Sequence, residues 1–131
     1  MDRTGARTAA MMLVYEWEMG GDGGEDTREG MLELQPDEKE YRYMEMIFSG
    51  VTQKKAELDA QIAKYAVGWK LERISRVDLS IMRVAAYEIL YTDLPDGVAV
   101  NEALEMARIY SEPKAVNFIN GVLGSIVRSK K

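Results

Sequence analysis

The sequence contains no cysteine and no histidine among its 131 residues. Without cysteine, the chain can form no disulfide and offers no thiolate nucleophile. Without histidine, it lacks the commonest metal ligand and the commonest general base. These two absences argue against a zinc site and against most hydrolytic triads. We therefore expect no metal, no cofactor and no enzymatic activity.

Long apolar runs are also missing. The sequence has no stretch of eighteen consecutive apolar residues and no signal-peptide pattern. We therefore expect a cytoplasmic protein that neither spans a membrane nor is secreted. The length suits one domain over residues 1–131, and the share of hydrophobic residues, 47%, is ordinary for a soluble globular chain.

Acidic residues outnumber basic ones, and the net charge is −5. The two signs are unevenly placed along the chain. Residues 16–45 hold eleven acids and three bases, whereas residues 113–131 hold four bases and no acid. Residues 1–15 are also slightly basic. This asymmetry is compatible with a local anion-binding site on an acidic protein.

Apolar residues recur at helical spacing along most of the chain, and no strand pattern appears. The spacing predicts helices at about 3–19, 37–53, 55–66 and 75–91, one after Asp96-Gly97 and one from Pro113. A glycine-rich acidic loop is predicted over 19–27, and a weaker pattern indicates a short helix near 28–34. The predicted fold class is therefore all-α, with six to seven helices in two small bundles that share one core.

One edge of the first predicted helix carries Arg3, Arg7, Met11 and Tyr15 at four-residue spacing. This edge suits RNA phosphates at its arginine end and a protein partner at its Met/Tyr end. The alternative is a solvated rim with two arginines whose stems lie along the surface.

The helix over 75–91 places Glu88 in the middle of its apolar face. An unpaired buried carboxylate is costly, so this one must accept hydrogen bonds, and we expect backbone N–H groups of loop 93–98 to supply them. No second carboxylate or base accompanies it, which favours a structural role over catalysis. The opposite face is a second possible contact surface, formed by Arg76, Ser80, Arg83 and Tyr87.

Two glycines, Gly121 and Gly124, lie inside the last predicted helix. Each costs about 1 kcal/mol relative to alanine, which predicts close approach of another helix or of a ligand. Earlier in the chain, Trp69 occupies a connection beside Lys70 and Arg73. It could stack on a base, but an indole pinned against the core is the favoured interpretation.

Four ordered stretches carry a family resemblance: RTGARTAAMMLVYEWEM at 3–19, WKLERISRVDLSIMRVAAYEIL at 69–90, VAVNEALEMARIY at 98–110 and NFINGVL at 117–123. Together they resemble the NusB transcription antitermination family over nearly the whole chain. The resemblance implies two three-helix bundles. Residues 98–127 are the most distinctive part, and we expect the rest of the chain to be organised around them.

The resemblance further implies a non-catalytic adaptor. Members of the family bind the single-stranded boxA element of nascent ribosomal RNA transcripts together with NusE, a small ribosomal protein. The RNA polymerase antitermination complex then reads through terminators. By matching position, the implied RNA-binding residues are Arg3, Arg7, Lys114, Asn117 and Phe118, and the implied partner-binding residues are Tyr15 and Asp78. Many members carry a denser arginine cluster at the start, so weak RNA binding without the partner is expected.

Two other functions remain open at this point. A NusB-like domain can act as a homodimer that masks its RNA face, so this chain can be a structural or interaction domain. It can also be an RNA-binding module related to those fused to ribosomal RNA cytosine methyltransferases. The chain has no room for a cofactor-binding α/β domain and no catalytic cysteine, which argues against an enzyme.

Overall fold

A computed structural model describes residues 2–20 and 37–130, and these residues form six α-helices. In chain order they are α1 Arg3–Glu18, α2 Glu38–Gln53, α3 Lys55–Tyr65, α4 Arg76–Tyr91, α5 Asp96–Tyr110 and α6 Pro113–Ser129, with a 3₁₀ turn at Leu71–Arg73. No strand occurs over the described residues, and the all-α prediction is confirmed. The predicted helix near 28–34 and most of the predicted loop 19–27 lie outside them.

Helix α4 lies at the centre of the fold, because each of the other five helices packs against it. Helices α1 and α2 contact each other and α4, and helices α5 and α6 likewise contact each other and α4. The two groups therefore share α4, and α3 bridges it to α6. The expectation that residues 98–127 organise the chain is wrong, since they form the α5–α6 side of a core centred on α4.

Side-chain caps fix the starts of three helices. Asp2, Asp37 and Ser75 each accept a hydrogen bond from the backbone N–H three residues further on, at 2.8, 2.9 and 3.1 Å. A capped start satisfies an N–H group that would otherwise lack a partner. Helix α6 instead begins with Pro113, which has no N–H to satisfy. The predicted helix starts at these four positions are confirmed.

The helical glycines differ in what surrounds them. A Cβ at Gly50 on α2 would collide with the ring of Tyr87 on α4, so this glycine allows the two helices to approach. A Cβ at Gly121 would meet nothing, and one at Gly124 would meet only the flexible end of Arg128. The predicted close approach of a helix at Gly121 and Gly124 is therefore wrong, and it occurs at Gly50 instead. Among the described helices, none is long and apolar enough to cross a membrane.

Candidate nucleic-acid and partner interface

Arg7, predicted to lie on an exposed edge of α1, is buried, with only 3% of its surface exposed. Its Nε donates to Glu88 Oε1 at 2.7 Å, its Nη1 to Glu102 at 2.7 Å and its Nη2 to the Tyr43 hydroxyl at 2.7 Å. These partners come from α2, α4 and α5, which enclose this part of α1. The expected exposed position of Arg7 is wrong, because a second face of α1 is also packed.

Glu88 accepts its hydrogen bonds from side chains. Both its oxygens bind the Arg7 guanidinium, and the Tyr43 hydroxyl also donates to it. Burial and the hydrogen bond to Glu88 raise the pKa of Tyr43 well above its ordinary value. The prediction that loop 93–98 supplies backbone N–H donors is wrong, whereas the structural role of Glu88 agrees with this closed network.

Arg3 reaches the surface but already has a carboxylate partner. Its side chain is 40% exposed, and it donates to Glu40 from Nε at 2.7 Å and from Nη2 at 3.2 Å. The guanidinium also lies over the Tyr43 ring, 3.9 Å from the centroid. A phosphate that approaches Arg3 must therefore compete with Glu40.

The predicted contact stripe on α4 is also covered. Ser80 and Arg83 are buried, and Arg83 donates to Asp59 on α3 from Nε at 2.8 Å and from Nη2 at 3.0 Å. Arg76 pairs with Glu18 on α1 at 3.1 Å. The interpretation of this stripe as a contact surface is wrong, because α1 and α3 pack over it.

A cavity of about 540 Å³ opens where the 3₁₀ turn, the start of α4, the end of α5 and the start of α6 meet. It brings together three of the residues implied by the resemblance, namely Asp78, Lys114 and Phe118. Asp78 accepts a hydrogen bond from the Ser111 hydroxyl, which ties α4 to the α5–α6 connection. The other lining residues are Trp69, Arg73, Ile74, Ser75, Val77, Tyr110, Glu112 and Ala115.

Two aromatic rings meet in this cavity. The centroids of Trp69 and Phe118 lie 5.9 Å apart, with an angle of 57° between the ring planes. Trp69 is 53% exposed, so the favoured interpretation of an indole pinned against the core is wrong. Phe118 is half-buried and both packs against the core and lines the cavity.

The comparisons with known proteins identify the family. The NusB family model matches residues 4–128. This chain belongs to the NusB family. A transcription antitermination protein NusB from Acetivibrio thermocellus is 41% identical over 132 residues, covering 99% of this chain and 91% of the relative.

Solved NusB structures share the fold. A NusB structure from T. maritima superposes with a TM-score of 0.87 at 29% identity, over 98% of this chain and 92% of that one. A crystal structure of the antitermination factors NusB and NusE with double-stranded RNA gives a TM-score of 0.86 at 25% identity, over 97% of this chain and 96% of that one.

The remaining implied site residues of this NusB-family chain lie outside the cavity lining. Asn117 is exposed on α6, one residue before Phe118, and Tyr15 is half-buried on α1. Sequence reasoning did not assign Tyr110 or Ser111 to the site, although Tyr110 lines the cavity and Ser111 donates to Asp78. It did single out Trp69 and Arg73, through an aromatic beside basic residues. No cluster of side chains suited to a metal ion occurs in the described part of the chain.

Proposed function

We propose that this chain is a non-catalytic, cytoplasmic transcription antitermination factor. It binds the single-stranded boxA element of nascent ribosomal RNA transcripts together with NusE, and it acts within the RNA polymerase antitermination complex. One observation carries the proposal. A single cavity is lined by Lys114 and Phe118, implied to contact RNA, and by Asp78, implied to contact the partner.

The chemistry of the cavity suits an unpaired strand. Lys114 is 88% exposed, and its nearest carboxylate, on Glu112, is 3.7 Å away, so its ammonium group is available to a phosphate. Arg73 on the 3₁₀ turn adds a second exposed cation. The rings of Trp69 and Phe118 offer surfaces on which bases stack, a contact that accepts any base. Cations for the backbone and rings for the bases are what single-stranded RNA requires.

The first helix contributes less charge than its sequence suggests. The guanidinium of Arg3 donates to Glu40, and Arg7 makes all its contacts inside the protein. A direct RNA contact by Arg7 stays a prediction, and its burial argues against it. With Arg3 paired and Arg7 buried on a chain of net charge −5, RNA binding should be weak until NusE supplies further contacts.

The partner contact is assigned to Asp78 and Tyr15. Asp78 lies in the first turn of α4 and is half-buried. Tyr15 lies near the C-terminal end of α1 and is also half-buried. A basic surface on the partner would complement a chain with excess acid.

The test is fluorescence anisotropy of a labelled boxA RNA titrated with this protein, alone and with NusE. We expect weak binding alone and a clear gain with NusE. A scrambled single strand and a boxA duplex, run in parallel, separate recognition of the single strand from general affinity for RNA. Equal affinity for all three RNAs, or no gain with NusE, would show the proposal to be wrong.

The charge contribution is tested by Lys114→Gln. Each phosphate contact on a single strand contributes roughly −0.7 to the slope of log affinity against log salt, so the variant should flatten that slope by about 0.7. The matched control is Lys64→Gln, an exposed lysine on α3 that is not part of the cavity. It makes the same charge change and should leave the slope unaltered.

A further inference from the structure

We infer that Trp69 is a stacking platform that holds one unpaired RNA base in the cavity, beside Phe118. The inference rests on the proposed RNA-binding function and adds a residue that neither the resemblance nor the comparisons assign. It is carried by the exposed indole, by its geometry relative to Phe118 and by the fixed backbone beneath it.

The position of Trp69 gives the fold little stabilisation for so large a side chain. Burial of apolar surface is what an aromatic residue contributes to a core, yet 53% of Trp69 is open to solvent. In the same connection, Ala66 and Ile74 are only 2% and 4% exposed, so residues on either side of the indole supply the core contacts of this segment. An exposed indole in a cavity wall is therefore available to a ligand.

The backbone that carries the indole forms an ordered turn before any ligand arrives. The N–H of Trp69 donates to the Ala66 carbonyl at 3.0 Å and closes a tight turn. Gly68 inside that turn has a φ of +82°, a backbone conformation that residues with a side chain rarely adopt. The 3₁₀ turn at Leu71–Arg73 follows directly. A side chain on a fixed turn loses less entropy on binding than one on a loose loop.

The geometry of the two rings suits a flat, polar-edged ligand. Trp69 and Phe118 meet at 57°, so they form a wedge and do not cover each other's faces as a parallel stack would. A base can lie on the indole face while its edges stay near the polar lining groups. Arg73 and Lys114 line the same cavity and are placed to meet the phosphates on either side of that base. A purely apolar peptide side chain would leave both cations unused.

The sequence allows a direct optical test, because the chain has only two tryptophans, Trp17 and Trp69. In the Trp17→Phe variant, all indole fluorescence comes from Trp69. Adding boxA RNA in the presence of tryptophan-free NusE should quench that emission, since a stacked base is in van der Waals contact with the indole. In the reciprocal Trp69→Phe variant, the remaining Trp17 lies on α1 outside the cavity, and its emission should change little.

Affinity gives an independent readout. Trp69→Ala should weaken RNA binding roughly 5- to 150-fold, the range expected for one stacked base, and leave the salt slope unchanged. Trp69→Phe keeps an aromatic face and should lose less. The matched control is Val67→Ala in the same connection, a residue 86% exposed and absent from the cavity lining, which should bind as the unaltered protein does.

The possible outcomes separate this inference from the proposed function. If the unaltered protein and NusE bind RNA but Trp69→Ala binds equally tightly and Trp69 is not quenched, the inference is wrong and the adaptor function stands. If Trp69→Ala weakens NusE binding in the absence of RNA, the indole belongs to the protein interface, which also overturns the inference. If the unaltered protein binds no RNA even with NusE, the proposed function itself fails.

Discussion

Arg3 and Arg7 lie one helical turn apart on α1, yet their surroundings give them different roles. The side chain of Arg7 is 3% exposed and its partner Glu88 is 1% exposed, whereas Arg3 is 40% exposed. Removing one partner of a buried pair leaves an unpaired buried charge. We therefore expect Arg7→Gln to lower the free energy of unfolding by about 3–5 kcal/mol, and Arg3→Gln by less than about 1 kcal/mol. Urea denaturation at neutral pH measures both.

RNA binding tests the same two variants in the opposite sense. The exposed Arg3 can contribute to RNA affinity, whereas the buried Arg7 should not. Arg3→Gln should flatten the salt slope only if RNA displaces Glu40 from Arg3. A folded and fully stable Arg7→Gln protein with reduced RNA affinity would contradict the structural role assigned to Arg7.

The glycines of α2 and α6 make a second prediction at the scale of single residues. Gly50→Ala places a methyl group against the Tyr87 ring, which is itself stacked on Tyr91, so it should destabilise the protein by about 1–3 kcal/mol. Gly121→Ala meets open space and should stabilise it by up to about 1 kcal/mol through helix propensity. Thermal unfolding of the two variants should therefore shift in opposite directions. A lowered melting temperature for Gly121→Ala would point to a contact that the open surroundings do not show.

The four-residue spacing on α1 correctly grouped Arg3, Arg7 and Met11 on one edge, but it gave no information about what covers that edge. Met11 is 3% exposed, like Arg7, because α1 packs on more than one side. Amphipathic patterns reveal one apolar stripe per helix. An arginine with carboxylate partners from helices 80 or more residues away cannot be distinguished from a surface arginine by spacing. The anomaly that could have indicated the pairing was Glu88, an acid on an apolar face that required a buried donor.

At the scale of helices, the contact between α3 and α4 depends on charge. Partial burial alone would raise the pKa of Asp59, but hydrogen bonds from Arg83 and Lys55 outweigh it and hold the pKa below its ordinary value. A carboxyl group with a lowered pKa in the folded state stabilises the fold above its unfolded pKa, and this contribution is lost as pH falls. The free energy of unfolding should therefore decrease as pH drops through about 4 and below.

The variant Asp59→Asn tests this assignment. It should be less stable than the unaltered protein at pH 7, and it should lose less stability between pH 7 and pH 3, because the titrating group is gone. Asp93→Asn is a suitable control, since Asp93 is exposed in the connection between α4 and α5. Identical pH dependence in Asp59→Asn and the unaltered protein would assign the acid sensitivity to other carboxyl groups.

Helix positions were largely predictable because their signals are local. A capping aspartate or serine, a proline in the first turn and a 3.6-residue apolar period each act within a few residues. The packing order was not predictable in this way. Helix α4 is the centre because five other helices pack against it. These contacts bury ten of its sixteen residues.

At the scale of the whole molecule, the cavity depends on the packing of distant segments, which no local sequence pattern predicts. It joins residues 69–78 to residues 110–118, and both segments supply its lining. Family resemblance pointed to Asp78, Lys114 and Phe118 individually, and their convergence on one site appears only in the folded chain. Trp69 was judged wrongly because an isolated tryptophan in a connection gives no indication of whether the core has room for it.

Shared use of the cavity leads to the last prediction. If NusE raises the affinity of the protein for RNA, then RNA must raise its affinity for NusE by the same factor, because binding free energies around a closed cycle sum to zero. Couplings of this kind are commonly about 5- to 150-fold. Calorimetric titrations of RNA with and without NusE, and of NusE with and without RNA, measure the factor from both sides.

Self-association offers the competing explanation for a gain with NusE. If a homodimer covers the RNA face, then NusE acts by releasing monomers, and the apparent RNA affinity will fall as the protein concentration rises. A direct coupling in the cavity predicts instead an RNA affinity that is independent of protein concentration. Sedimentation velocity should then show a monomer at every concentration. Lys114→Gln should then weaken RNA binding with and without NusE while leaving NusE binding in the absence of RNA unchanged. A loss of NusE binding in that variant would place Lys114 in the protein interface and not on the RNA.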